Sequence, residues 1–151
     1  MSLYVHYGTP FDMSKWEPIN NHHTKPSGGF WLSPENANRG WEYFCIAEDN
    51  PELLRGEKYF FSLRDDARVL HIHSVSQIKY LPLVDGWEGI RGWKYFLDFE
   101  SLAKIYDAIE VHFDNLDWCG TSPEDTVLGD ALDMWDCDSI VVMNPSVLIP
   151  H

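Results

Sequence analysis

The chain has 151 residues, 44% hydrophobic and 15% aromatic, and its 24 acidic against 11 basic side chains give a formal net charge of −13. That length and apolar content suit one folded domain with a real core and exclude global disorder. Its few, scattered lysines and arginines form no patch for a phosphate backbone or an anionic membrane, which disfavours general nucleic-acid binding and membrane adsorption.

Taken in chain order, residues 3–7 (LYVHY) read as an opening strand closed by Gly8, Thr9 and Pro10, with a long polar loop behind it. Phe30 to Leu32 form a short strand after the pair Gly28-Gly29. The stretch SPENANRGWEYFCIAE predicts a helix with Ser33 as N-cap, Pro34 at its first position and Glu35 behind it. KYFFSL (58–63) and ARVLHIHS (67–74) read as two strands joined by a tight RDDA connection. SVSQIKYL reads as a short helix, and the three glycines of DGWEGIRGW (85–93) predict a loop or a lid. DFESLAKIYD (98–107) has Phe99, Leu102, Ala103 and Tyr106 at helical spacing. AIEVHF is a strand, SPEDTVLGDALDMW repeats the Ser-Pro-Glu helix start, DSIVVMN is a buried strand and SVLI a last extended piece. Strands and helices alternate without a βαβ repeat and no linker divides the chain. The expectation is a single compact α+β domain.

Several side chains stand out chemically. Glycine allows close approach to a backbone, and alternation along a strand sends Phe30 and Leu32 one way and Trp31 the other. Trp31 therefore faces either the core or whatever the glycines admit. Two or three of the seven tryptophans are expected to line a site. His71 and His73 share one strand face as an i, i+2 pair, but spacing supplies no third ligand, so no metal is expected. Glu110, Asp136 and Asp138 are carboxylates on or beside strands, where acids are costly unless exposed, paired or functional. Cys45, Cys119 and Cys137 show no CxxC spacing and no activating base, against both a disulfide framework and a thiol nucleophile. The start MSLYVHYG lacks the features of a signal peptide and no stretch approaches a membrane span, so a cytoplasmic location is expected. The acidic surface is either plain solvated surface or a face for a basic protein partner.

Three separated pieces together resemble the ADP-ribosyltransferase fold, in the branch of diphtheria toxin and the poly-ADP-ribose polymerases. YVHYGT is similar to that branch's opening strand, whose histidine precedes a Gly-Ser or Gly-Thr. GGFWLSPENANRGWEYFC is similar to its Gly-Ile-Tyr-Phe-Ala strand with the following helix, and DSIVVMNPSVLIP to its late glutamate-bearing strand. The chain also resembles small bacterial and phage proteins that share a Lys-Pro-x-Gly-Gly-Leu-Trp pattern and a Trp-Asp-Cys-Asp-Ser tail. The resemblance implies an antiparallel sheet split around a cleft, with flanking helices. It implies NAD as substrate, release of nicotinamide, and transfer of ADP-ribose to a macromolecular acceptor, as in a toxin or phage-related effector. A non-catalytic nucleotide-binding or acidic interaction module of the same fold is the alternative.

Carried over by residue, His6 would bond the ribose and the Gly8 backbone the nicotinamide amide, while Trp31 and Trp41 would sandwich the nicotinamide ring. Tyr7, Thr9, Lys25, Gly28, Gly29 and Ser33 would complete the cofactor site. Because the two strands would be neighbours, His6, Gly8, Gly29 and Trp31 are expected to converge on one concavity. Counting back from Pro145 puts Ser139 at the family's glutamate position. Asp138 is the first choice for the catalytic acid, followed by Asp136 and Glu110. A one-residue offset turns Asp138 to the other face unless a bulge intervenes.

Overall fold

A computed structural model describes residues 2–86, 94–113, 122–133 and 135–151. It is α+β. Strands β1 (Tyr4–Gly8), β2 (Phe30–Pro34), β3 (Glu57–Leu63), β4 (Val69–Ile72), β7 (Ala108–Val111), β8 (Ser139–Val142) and β9 (Leu148–Pro150) form one sheet in the order β4-β7-β8-β2-β1-β3-β9. A separate ribbon pairs β5 (Leu83–Asp85) with β6 (Tyr95–Leu97). The helices are short: α1 (Trp41–Ala47), α2 (Val75–Ile78), α3 (Phe99–Leu102) and α4 (Pro123–Gly129). The expected all-antiparallel sheet is in fact mixed, because β4 runs parallel to β7.

The RDDA segment is not a hairpin turn. It leads from β3 to β4, which stand five steps apart in the sheet. Five steps across a flat sheet cover about 24 Å, whereas the six residue-to-residue steps from Leu63 to Val69 reach about 20 Å at most. The sheet must therefore curl. Leu63, Ala67, Val69 and Leu148 accordingly pack on one apolar cluster with Tyr4, Phe61, Ala108 and Val142. The opposite face carries the larger cluster, in which Ile72, Ile109, Val111 and Val141 meet Phe99, Leu102, Leu128 and Trp135. β7 and β8 lie between the two clusters and are buried along their whole length, which explains the unbroken apolar run Ile140-Val141-Val142.

Two helix starts came out differently from the same tripeptide. Ser122-Pro123-Glu124 opens α4 through a capping box: Ser122 Oγ accepts from the Asp125 N–H, and Asp125 accepts from the Ser122 N–H. Ser33-Pro34-Glu35 instead ends β2, paired with Val5 and Tyr4, and α1 begins only at Trp41. Ser33 still serves that helix from a distance, its Oγ accepting the Trp41 N–H at 3.0 Å. The amphipathic 98–107 stretch gives a single helical turn, α3, capped by Asp98. Residues 87–93 of the expected loop or lid, and Cys119, lie outside the described residues.

Asp107 ties the middle of the sheet together. Its carboxylate accepts from the Arg68 backbone N–H, from the Arg68 guanidinium and from Asn144 Nδ2, and its carbonyl accepts from the Met143 and Asn144 N–H groups. The strand-leading residue of β4, the approach to β7 and the exit of β8 are thereby joined at one buried side chain. The Arg68 hydrogen bonds hold its pKa down to about 2. A depressed carboxylate pKa stabilises the fold above the ordinary value of about 4 and loses that effect as pH falls toward about 2. Asp107→Asn is expected to lower unfolding free energy by about 1–3 kcal/mol near neutrality, with the gap from wild type shrinking below pH 4 in denaturant melts.

The glycine pair meets protein rather than open space. Gly28 and Gly29 have φ of 79° and 70°, and a Cβ would stand 2.1 Å from the Pro18 carbonyl oxygen at Gly28 and 2.8 Å from the Val141 side chain at Gly29. The Gly29 N–H donates to the Glu17 carbonyl. What comes close to this backbone is the 17–19 segment on one side and β8 on the other. Gly29→Ala combines backbone strain with overpacking and is expected to cost about 2–4 kcal/mol, measured by thermal or denaturant unfolding.

Candidate functional site

β2 is the strand that positions the site. It pairs with β8 through Phe30–Val142, Trp31–Val141 and Leu32–Ile140, and with β1 only through Tyr4–Pro34 and Val5–Ser33. Pairing in register puts Val5, Trp31, Ser33 and Ser139 on one face and Tyr4, Phe30, Leu32 and Ile140 on the other. Beyond Val5 the β1–β2 ladder stops, and a cleft of about 220 Å³ opens where the strands part.

Trp31, Trp41 and Trp135 border this cleft, together with Tyr7, Leu53 and Cys137. Lys25, Ser33, Asp136 and Ser139 supply its polar edge. Trp31 meets Trp135 edge-on at a centroid distance of 4.7 Å, and the Lys25 ammonium sits 4.6 Å above the Trp31 ring. That contact shows a Trp31 face able to hold a cation. The Trp135 indole N–H is buried and has no hydrogen-bond partner among the described residues, a costly state for a donor.

Asp136 is the carboxylate at the cleft. Although the residue is exposed overall, partial desolvation of its carboxylate at the cleft wall raises its pKa above the ordinary aspartate value; the Lys25 ammonium opposes the shift, and Glu48 and Asp133 reinforce it. The thiol of Cys137 is pushed up to about 11 by burial, so it is not a thiolate nucleophile near neutral pH. Burial, then the hydrogen bond to Glu42, lifts the Tyr7 phenol to about 12.

His6 reaches the cleft differently from the expectation. Its ring packs against Phe30 at a centroid distance of 4.4 Å and a tilt of 31°, on the face opposite the Trp31 ring, and its Nδ1 lies 2.8 Å from the Trp31 carbonyl oxygen. A carbonyl only accepts, so Nδ1 carries the proton and, in the neutral ring, Nε2 is the acceptor. The imidazole thus takes the ladder position that β1 and β2 leave unfilled. The expected convergence of His6, Gly8, Gly29 and Trp31 on one concavity is therefore not found: His6 and Trp31 adjoin the cleft with their rings on opposite faces of the sheet, and the two glycines lie outside it, which weighs against the sequence-based nicotinamide site.

Of the other residues singled out in the sequence, Tyr7, Lys25, Ser33, Trp41 and Asp136 also border the cleft, whereas Gly8, Thr9, Gly28 and Gly29 do not. Gly8 has φ of 109° and ends β1 against Glu57 of β3. Asp138 and Glu110 are turned away. With no bulge in β8, alternation sends Asp138 to the face opposite Ser139, where its Oδ1 accepts the Phe113 N–H at 2.6 Å. Glu110 lies on that same face, buried, accepting from the Tyr4 hydroxyl at 3.0 Å. Both carboxylates border a separate polar hollow with His112 and Tyr4. Of the three acids only the second choice, Asp136, borders the cleft; the first choice, Asp138, and the third, Glu110, do not.

Trp135 and Leu53 were not expected at the site from the sequence, and Ser139 was noted only for standing where the family has its glutamate. For Trp135 a signal existed, a tryptophan directly preceding the carboxylate of WDCDS, whereas Leu53 comes from a 3-10 turn that no periodicity marks. No helix among the described residues is long and apolar enough to cross a membrane. No protein-family model matches the chain, and comparisons with curated proteins and with solved structures return no significant match.

Proposed function

We propose that the tryptophan-lined cleft takes the nicotinamide end of NAD and that the protein is an ADP-ribosyltransferase acting on a macromolecular acceptor. The observation that carries this reading is the convergence on one cleft of Tyr7, Lys25, Ser33, Trp31, Trp41 and Asp136, drawn from segments far apart in sequence. The nicotinamide ring of NAD is a flat cation, and indole faces hold such a ring through stacking and cation–π attraction. The cleft volume suits a ring and part of a sugar, not a whole dinucleotide, so the diphosphate lies outside its mouth. There Lys25, once displaced from Trp31 by the ring, supplies a positive charge for it. The buried, unpartnered Trp135 N–H becomes a donor for the carboxamide oxygen once the indole shifts to open that edge to the cleft.

In the reaction the bond from the ribose anomeric carbon to the nicotinamide nitrogen breaks, and its electron pair leaves with neutral nicotinamide. The ribosyl cation is stabilised by the Asp136 carboxylate and captured by an acceptor oxygen or nitrogen, which then loses a proton. His6 acts as a positioning residue: by bonding the Trp31 carbonyl it fixes the strand that carries the ring-binding indole. The second reading, nucleotide binding without turnover, is favoured by one specific observation, the turning away of Asp138 and Glu110.

Asp136→Asn is expected to leave NAD affinity within a few-fold and to cut nicotinamide release by about 10²–10³. Because only the ionised carboxylate stabilises the cation and partial desolvation raises its pKa, wild-type turnover should decline on acidification at a higher pH than an ordinary aspartate would give, and the variant should lose that dependence. Trp135→Phe keeps a ring and removes the N–H, and should weaken nicotinamide binding by about 1–3 kcal/mol. Saturable NAD binding with no nicotinamide released in the presence of candidate acceptors would support the binding module, and no NAD binding would end both readings.

A further inference from the structure

We propose that His71, His73 and His112, together with Glu110, form a binding site for a divalent transition-metal ion of the zinc class. The site lies on the sheet face opposite the tryptophan cleft and is independent of it. Spacing along the sequence offered only the His71–His73 pair and so no metal. The parallel pairing of β4 with β7 supplies the rest, because it sets His71 beside Glu110 and carries His73 and His112 on from the neighbouring Ile72–Val111 pair.

The donor atoms of the three histidines all lie within 4.8 Å of one another. Tetrahedral zinc, about 2.0–2.1 Å from each nitrogen, needs its ligand atoms about 3.4 Å apart. His71 and His73 are exposed and so have room to rotate toward a bound ion. Glu110 sits beneath the rings, its Oε2 3.3 Å from His71 Nδ1 and its Oε1 3.6 Å from His112 Nε2. It supports two of the three imidazoles rather than joining the mutually close donor atoms, and the three-nitrogen set suits zinc, cobalt or nickel rather than calcium or magnesium.

Two further observations point to a ligand. His112 Nε2 is buried and has no hydrogen-bond partner among the described residues. Glu110 is 4% exposed, and no lysine or arginine pairs with it among the described residues. A buried carboxylate without a permanent counter-charge is costly, and a dication removes that cost. The supporting shell is also built. The Tyr4 hydroxyl donates to Glu110, and Gln77 clamps the histidine-bearing backbone by accepting from the His73 N–H and donating to the His71 carbonyl. Such partners fix ligand orientation.

The test uses the 151-residue chain without a histidine tag, stripped by chelator and titrated with Co²⁺ by visible absorbance and with Zn²⁺ by calorimetry. One ion per chain is expected, with the intense visible bands of tetrahedral cobalt. His73→Ala removes an exposed ligand and should weaken binding about 100-fold or more without shifting the melting temperature of the metal-free protein. Glu110→Gln should also weaken it, and His22→Ala should not. Absence of stoichiometric binding to the wild-type protein, or binding that His73→Ala and His71→Ala both leave intact, overturns the proposal.

Discussion

β1 and β2 hydrogen-bond through two residue pairs and then part, and the functional geometry depends on that early end to the ladder. A continued ladder would bring His6 opposite Leu32 and close the gap. Instead the His6 ring takes the free Trp31 carbonyl, which satisfies the backbone group that the lost pairing would have orphaned. The opening is stable because β2 is held on its other side. Three pairs to β8 fix its register, and Gly29, pressed against Val141 and Val142, fixes its approach. A cleft between strands that would otherwise pair needs such an anchor, since unpaired strand edges are costly when buried and aggregation-prone when exposed.

The same register divides the chemistry between two faces. Successive residues of β8 and of the turn before it alternate sides, so Ser139 faces the tryptophans while Asp138 faces Tyr4, Glu110 and His112. One face carries indole rings, a lysine and, among the described residues lining the cleft, one carboxylate of raised pKa, the setting proposed for a flat cationic ring. The other carries three imidazoles over a buried carboxylate, a setting for a metal ion. Asp107, a few residues before Glu110, holds β4, β7 and β8 in the alignment that both sites need.

Much of this was legible in the sequence where local pattern and tertiary context agree. The opening strand, the Phe30–Leu32 strand, the buried SIVV run and the second Ser-Pro-Glu helix start all correspond to observed elements. Ser33-Pro34-Glu35 misled because a proline favours an extended residue before it as readily as a helix start after it, and the following Asn36-Ala37-Asn38 has no apolar periodicity to propagate a helix. The glycine pair was read as room for a ligand; only the fold reveals the Pro18 carbonyl and β8 in that room. The side each acid faces was written in the one-residue offset between Asp138 and Ser139. The third histidine could not be read, because His112 meets His73 through a parallel strand pair that no spacing rule along the chain encodes.

The proposed function puts the nicotinamide end of NAD in the indole-lined gap between β1 and β2. A crystal structure of the protein soaked with NAD tests it most directly. Expected are ring density against Trp31 and Trp41, the carboxamide within hydrogen-bond reach of Trp135 Nε1, the ribose beside Asp136 and the Lys25 side chain moved off the Trp31 ring. An unoccupied gap at saturating NAD, or NAD bound on the face that carries Glu110 and His112, would contradict it.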